Sequence, residues 1–305
     1  MSPPTVQRAC PVCASREAAP HWQKETLRVV RCAACGMLYA SPVPESFTSG
    51  TYYDQVGNDF YLSPAKLAGD YAPSRFDREL RLFRRHCRRG RVLDVGCSSG
   101  AFLFQLRERF PGDYRVLGTD VSGPALEHAA SRGIPVRRGD FLAGDFPDPA
   151  YEAITFWAVL EHLDQPHGFL ARAASLLAPG GLCFVLVPNL GSLATRLLGA
   201  RYRYVYPQHL NYFSRTTLGR LANEWFEPVE TRTAHFNPMV IWQDWRGRGR
   251  EVSNQERAAL LQRTNRYKAS RWLGPVKAAY RGAEGLLAAI GWADNLAMVL
   301  RRREA

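Results

Sequence analysis

The stretch from Arg91 to Gly100, reading Arg-Val-Leu-Asp-Val-Gly-Cys-Ser-Ser-Gly, constrains the chain more than any other. It opens with β-branched and apolar residues, breaks at Gly96 and Gly100, and resumes with Phe102, Leu103 and Leu106 at helical spacing. That pattern predicts strand, tight turn and helix. A glycine turn feeding a helix N-terminus lets a ligand approach bare backbone and offers it unpaired N–H groups, as a nucleotide-type ligand requires. The turn lacks the Gly-Lys-Ser/Thr of a triphosphate loop, and its Gly-x-x-x-Gly differs from the Gly-x-Gly-x-x-Gly of dinucleotide binders.

The following segments extend the pattern. Arg115 to Asp120 reads as a second strand ending in a carboxylate 20 residues beyond Gly100, the spacing at which a Rossmann-type unit places an acid on ribose hydroxyls. A helix from Pro124 to Ser131, a third strand and turn from Pro135 to Phe141, and a fourth strand from Ala153 to Trp157 come next. A helix from Gly168 to Leu177 stops at Pro179-Gly180-Gly181, and Leu182 to Val187 makes a fifth strand. Strands separated by helices imply an α/β fold with a doubly wound parallel sheet, whose ligands bind at the carboxyl ends of the strands.

Leu93-Asp94-Val95-Gly96-Cys97-Ser98-Ser99-Gly100 resembles the first motif of the class I S-adenosylmethionine-dependent methyltransferases, with Ser98 where that family usually has its middle glycine. If the backbone there needs positive φ, Ser98 carries a small strain cost. The resemblance implies a Rossmann-like sheet of seven strands, the last antiparallel. Pro228 to Thr233 would be the sixth strand and Asn295 to Leu300 the seventh, entering beside the fifth. It also implies S-adenosylmethionine as cofactor, contacted by Asp94, Gly96, Cys97, Ser98, Gly100, Asp120, Val121, Asp140, Phe141 and Trp157.

Cys10-x-x-Cys13 and Cys32-x-x-Cys35, separated by 18 residues, have the spacing of a four-thiolate zinc site, and a piece this small needs metal to hold a core. Two disulfides are the rival reading, and a cytosolic chain would not keep them. Four cysteines leave no open position, so the expected zinc is structural. Cys87, Cys97 and Cys183 sit in apolar patterns and read as core fillers. Together with Arg31 to Tyr39 and the Ser41-Pro-Val-Pro44 segment, the cysteine pairs resemble the zinc-ribbon methyltransferases of bacterial natural-product and surface-saccharide pathways.

After the fourth strand, Glu161-His162-Leu163 is similar to the Glu-His-Leu signature of ubiquinone-type O-methyltransferases. Some relatives add a Glu three residues earlier and so a possible metal cluster, but here that position is Ala158, which argues against a metal. Glu161 and His162 are adjacent and on a helix would face apart. Downstream, Pro207-Gln-His-Leu-Asn-Tyr-Phe-Ser214 follows the aromatic, basic loop from Arg201 to Tyr206 and resembles the segment that closes the acceptor pocket in this group. The catalytic candidates are His209, as general base, and His162, as base or structural hydrogen-bonder. Tyr52, Tyr53, Phe60 and Tyr61 lie in a stretch that in the family folds over the active site.

The expected division is a zinc ribbon over residues 1–50, a helical lid segment over 51–90, a methyltransferase core over 91–234 and 292–305, and a helical insertion over 235–291. In the lid segment, Ser74 and Asp77 read as a capping box for an arginine-rich helix, with an Asp77–Arg81 pair. In the insertion, Ser253 and Glu256 cap one helix running to about Ser270, and Pro275 opens a second with Val276, Ala279, Tyr280, Ala283, Leu286, Leu287 and Ile290 along an apolar face. That stripe with its basic flank suits a peripheral membrane contact or a homodimer through residues 251–291, or simply packing on the core. No apolar run approaches a membrane span and Met1 to Arg8 has no apolar signal region, so the expected location is the cytoplasm. The net charge of +12, carried almost wholly by arginine, hints at acidic partners. The leading expectation is methyl transfer to a small-molecule acceptor, such as a saccharide, a nucleotide sugar or a natural-product intermediate, acidic or lipid-linked acceptors included. A zinc-ribbon RNA methyltransferase is the alternative, disfavoured by the lack of a Lys/Arg-plus-aromatic RNA module. A non-catalytic zinc-ribbon interaction protein is the third reading.

Overall fold

The two Cys-x-x-Cys turns flank a small antiparallel sheet. The computed structural model describes residues 4–55, 61–146, 150–247, 250 and 274–304. Strand β1 (Thr5–Val6) leads into β2 (Ala18–Lys24), β3 (Leu27–Cys32), β4 (Leu38–Ala40) and β5 (Val43–Pro44), and β1 pairs with β5. β2, β3 and β4 form a meander in which Leu27 and Val29 alternate inward with exposed Arg28. A fourth strand completes that sheet from far along the chain, at Asn211–Tyr212, where Asn211 pairs with Tyr39 and Tyr212 with Leu38.

Short helices α1 (Glu45–Thr48), α2 (Thr51–Gln55) and α3 (Pro64–Asp70) lead to α4 (Asp77–His86). The expected capping box does not form. α4 begins after Phe76 with no side-chain cap, and Asp77 pairs with Arg109 at 2.7 Å in place of Arg81. Its other arginines are likewise drawn to distant acids: Arg78 to Glu284, Arg84 to Asp113 and Arg85 to Glu230. An i,i+4 pair gains only a few tenths of a kcal/mol, so tertiary partners easily outcompete it.

The main sheet then follows in the expected order. β6 (Gly90–Val95) leads through α5 (Ala101–Arg109) to β7 (Tyr114–Asp120), and α6 (Gly123–Ser131) leads to β8 (Val136–Arg138). Next come β9 (Tyr151–Trp157), α7 (Pro166–Leu176) and β10 (Leu177–Pro188). β10 starts earlier than its apolar run, because Pro179-Gly180-Gly181 forms an irregularity inside the strand and not a gap before it. Helix α8 (Leu193–Leu198), β11 (Asn211–Tyr212), α9 (Arg215–Ala222), β12 (Phe226–Ala234), α10 (Pro238–Arg246), α11 (Gly274–Ala289) and β13 (Asn295–Arg302) complete the described elements. The strand order is β12-β13-β10-β9-β6-β7-β8, with β13 antiparallel to both neighbours and the strands from β10 to β8 parallel. The first helix expected in the insertion, with Ser253 and Glu256, lies outside the described residues.

Alternate residues of the strands fill the two faces. Leu93, Ile154, Phe156, Val185 and Val187 pack with α7 and α9 on one side. Val92, Ala153, Phe184 and Val299 pack with α4 and α5 on the other. Cys87 and Cys183 are buried in these layers as small fillers. Cys10, Cys32, Met37 and Tyr39 of the N-terminal segment belong to the first of these clusters, so that segment shares the core of the sheet.

Arg8 ties the segment down. Its buried guanidinium donates to the carbonyls of Ala40, Leu210 and Asp164, to Asn211 Oδ1, and through Nε to Asp164 Oδ1 at 2.7 Å. Burial lowers its pKa while Asp164 opposes the shift, yet an arginine keeps its proton. Removing one partner of such a network leaves several acceptors buried without donors. Arg8→Met is expected to cost about 2 to 4 kcal/mol in urea unfolding, and Arg8→Lys to recover little because one ammonium cannot reproduce the planar fork. A midpoint unchanged in Arg8→Met would show that the clamp adds nothing.

Candidate active site

Two groups of side chains meet at the carboxyl ends of the parallel strands, the place where an α/β sheet binds ligands. The first surrounds the turn after β6. Gly96 and Gly100 adopt φ of +72° and +74°, and Ser98, where glycine was the family expectation, is held at +49°. That left-handed backbone costs a non-glycine residue about 1 to 2 kcal/mol, and the Ser98 N–H repays part of it by donating to Asp120 Oδ2 at 2.8 Å. A Cβ on Gly96 would lie 2.6 Å from Val159, and one on Gly100 2.8 Å from Ala129, so neither position has room for a side chain.

Asp120 also accepts the Ser122 N–H at 3.0 Å. Burial raises its pKa, against the pull of these amides. Asp94 accepts a hydrogen bond of 2.6 Å from Thr155, and burial pushes its carboxyl up to about 7. Cys97 is buried, its sulfur facing Gly118, where a Cβ would come within 2.6 Å. Val121 is exposed beside Gly50, and Asp140 is exposed with one oxygen accepting the Leu142 N–H. The Phe141 ring is buried against Phe146, Phe156 and Phe169. Trp157 is half-buried, packed on Phe102 and Phe184. Asp54 of α2, absent from the sequence expectations, accepts from the Gly123 N–H and pairs with Arg138, which anchors α2 at this edge.

The second group lies after β9 and before β11. Glu161 and His162 do not face apart as an α-helical reading predicts. They occupy a three-residue 3₁₀ turn, and one donor atom each of Glu161, His162 and His209 lies within 4.8 Å of the others. His162 Nδ1 sits 2.8 Å from the Gln208 carbonyl, which has no hydrogen to give, so Nδ1 carries the proton and Nε2 keeps the lone pair. The buried His209 ring is enclosed by Tyr206, His162 and Tyr204, with centroids at 4.2, 4.7 and 6.2 Å. Tyr53 Oη lies 3.0 Å from His162 Nδ1, and the Gln208 side-chain amide donates to Tyr52 Oη. Tyr61 lies under the Lys66 ammonium, 5.9 Å from its ring centre; Phe60 lies outside the described residues. Burial holds the Tyr53 and Tyr61 phenols well above their ordinary range and Glu161 up to about 8.

The loop after His209 is stitched to the four-cysteine segment. Leu210 N–H donates to the Glu161 carbonyl, Asn211 Nδ2 donates to the carbonyls of Leu160 and Leu163, and Ala40 N–H donates to the Leu210 carbonyl. The four sulfurs of Cys10, Cys13, Cys32 and Cys35 also lie within 4.8 Å of one another, with Cys10–Cys35 at 3.4 Å and Cys13–Cys32 at 3.5 Å. Those separations are too long for S–S bonds and close to the sulfur spacing around a tetrahedral zinc, so the donor set fits that ion and not a pair of disulfides. Ala158, at φ +59°, and Arg8 are site-shaping features that local patterns do not signal.

Asp94 and Glu161 together set a pH dependence. Both folded-state pKa values are raised, so the native state holds protons that the unfolded chain has lost. The resulting stability is complete below about pH 4 and drains as pH rises through about 7 to 8. Melting temperatures between pH 5 and pH 8 should fall more steeply in the parent than in an Asp94→Asn, Glu161→Gln variant. Parallel slopes would show that neither group keeps its proton.

An uncharacterized methyltransferase of Mycobacterium tuberculosis is 31% identical over 99 residues, which cover 31% of this chain and 49% of that protein, so the chain spans about half the length of this relative. The ubiquinone biosynthesis O-methyltransferase of Burkholderia vietnamiensis is 29% identical over 177 residues, covering 50% of this chain and 75% of the relative. Among solved structures, a SAM-dependent methyltransferase from Thermotoga maritima, described as a possible histamine N-methyltransferase, shares the fold with a TM-score of 0.53 at 16% identity, over 83% of this chain and 99% of that one. Residues 69–225, just over half of the chain, match the family described as Methyltransferase domain. The glycine turn, the acid closing the second strand and the antiparallel final strand agree with that match, and the chain belongs to the methyltransferase-domain family.

Proposed function

We propose that the protein transfers a methyl group from S-adenosylmethionine to a hydroxyl of a small, polyhydroxylated acceptor of the saccharide type. The observation that carries this reading is the pairing of two unlike sites at one sheet edge: a glycine cradle closed by Asp120, and a buried cluster of phenols and imidazoles. Asp94, Gly96, Cys97, Ser98, Gly100, Asp120, Val121 and Asp140 would hold the cofactor, which supplies a methyl already activated on a positive sulfur. Orientation and exclusion of water then do most of the work. The phenols of Tyr53 and Tyr61 stay protonated and orient hydroxyls by hydrogen bonding. His162 is committed through Nδ1 to the Gln208 carbonyl and positions the loop. His209 would take the proton of the acceptor hydroxyl when that oxygen accepts the methyl group. Zinc on Cys10, Cys13, Cys32 and Cys35 would stiffen the segment whose sheet includes β11, and so hold His209 in place from behind. An RNA acceptor is less well supported, because the arginines Arg78, Arg84 and Arg85 of α4 are already engaged by acids.

Calorimetry with S-adenosylmethionine tests the first half of the reading. Asp120→Ala is expected to weaken binding by about 1.5 to 3 kcal/mol, the size of a lost hydrogen bond to a charged group. Unchanged affinity would reject the assignment. For the second half, labelled methyl donor incubated with a panel of saccharides should mark a hydroxyl, and His209→Ala should lower turnover by about 10² while cofactor affinity holds. A silent His209→Ala with a damaging His162→Ala would exchange the two roles.

A further inference from the structure

Two helices of this protein each bury a carboxylate and leave large apolar side chains outside. An amphipathic helix on a water-soluble protein buries its apolar stripe and exposes its charges. α10 instead points Asp244 inward, where it pairs with Arg203 at 2.7 Å in a fully buried contact, and leaves Met239, Trp242 and Trp245 exposed at 56%, 48% and 61%. α11 buries Glu284 in a two-pronged pair with Arg78, both bonds at 2.6 Å, while Leu286 and Ile290 are exposed at 66% and 50%. The apolar stripe read along α11 is therefore split: Tyr280 and Leu287 are half-buried, and Ala283, Leu286 and Ile290 face outward. Both helices belong to one edge of the molecule, since Tyr280 of α11 donates to the carbonyl of Phe236 just before α10, and its ring stacks on Phe236.

Charge identifies the occupant. On the two helices Arg246 and Arg281 are exposed while the acids Asp244 and Glu284 are spent in the inward pairs, and the sequence between those arginines adds eight Arg or Lys against two Glu. Arg246 lies over the Trp242 ring at 5.3 Å, which leaves a guanidinium and an indole side by side at the surface. Exposed tryptophans and aliphatic side chains among basic residues suit the boundary between lipid headgroups and acyl chains, where indoles settle and cations meet phosphate. A second copy of the same basic surface would instead meet like charge. No helix of the described residues is long and apolar enough to cross a membrane, so attachment would be peripheral. We infer that α10 and the C-terminal half of α11 form a docking face for an anionic lipid surface, holding the protein against a membrane.

Sedimentation of the full chain with phosphatidylcholine vesicles, with and without phosphatidylglycerol, tests this. Binding is expected only with the anionic lipid, falling steeply as salt rises, with a blue shift of tryptophan emission. Trp242→Ser with Trp245→Ser should weaken binding about tenfold or more, and so should Leu286→Ser with Ile290→Ser, each with the melting temperature little changed because about half or more of each side chain faces solvent. Failure to sediment with anionic vesicles overturns the inference, as does binding indifferent to both pairs of substitutions. A concentration-dependent dimer abolished by them, without vesicle binding, would assign the face to self-association and overturn it equally.

Discussion

The buried guanidinium of Arg8 is the contact on which the loop from His209 to Asn211 depends. It reaches the ends of three segments remote in sequence: the β4 carbonyl of Ala40, the loop after β9 through Asp164, and the entry to β11 through Leu210 and Asn211. Apart from the partly exposed Asp164 carboxylate, those groups are backbone or amide acceptors that water cannot easily reach, so one side chain satisfies what would otherwise be several separate desolvation penalties. Around that anchor the loop bearing His209 becomes a strand in the sheet of the N-terminal segment, and the rigidity of one is inherited by the other.

The site shows where a stable fold tolerates strain. Ser98 and Ala158 both hold left-handed backbone at the carboxyl ends of adjacent strands, and the Gly96 turn presses against Val159 with no room for one extra carbon. The glycine turn and the loop after β9 therefore pack as one piece. Asp94 and Glu161, buried with few donors, keep their protons near neutral pH and so spare the site two buried charges.

Much of this was legible in the sequence because its signals are local. The first six strands of the main sheet followed from apolar runs and glycine breaks, the antiparallel seventh from the family resemblance, and the positive φ suspected at Ser98 is there. What could not be read is what distant partners decide. Asp77 abandons its expected cap because Arg109 offers a better partner, and Phe141 turns into a core that no periodicity announces. Glu161 and His162 converge with His209 because their segment takes a 3₁₀ turn in place of a helix. In α11 the apolar period was visible, but its orientation was not: Arg78, some 200 residues earlier in the chain, draws Glu284 inward and turns Leu286 and Ile290 outward.

The shared sheet also orders events during synthesis. β4 is made early, yet its partner β11 leaves the ribosome only after some 170 more residues, a wait of roughly 10 to 35 s at about 5 to 20 residues per second. Through that interval one edge of β4 has no strand beside it, an exposure that invites pairing with other chains. A metal ion captured early by the four cysteines would hold the first three strands in register until the fourth arrives. The thiols would then guard a nascent chain as well as support a finished one.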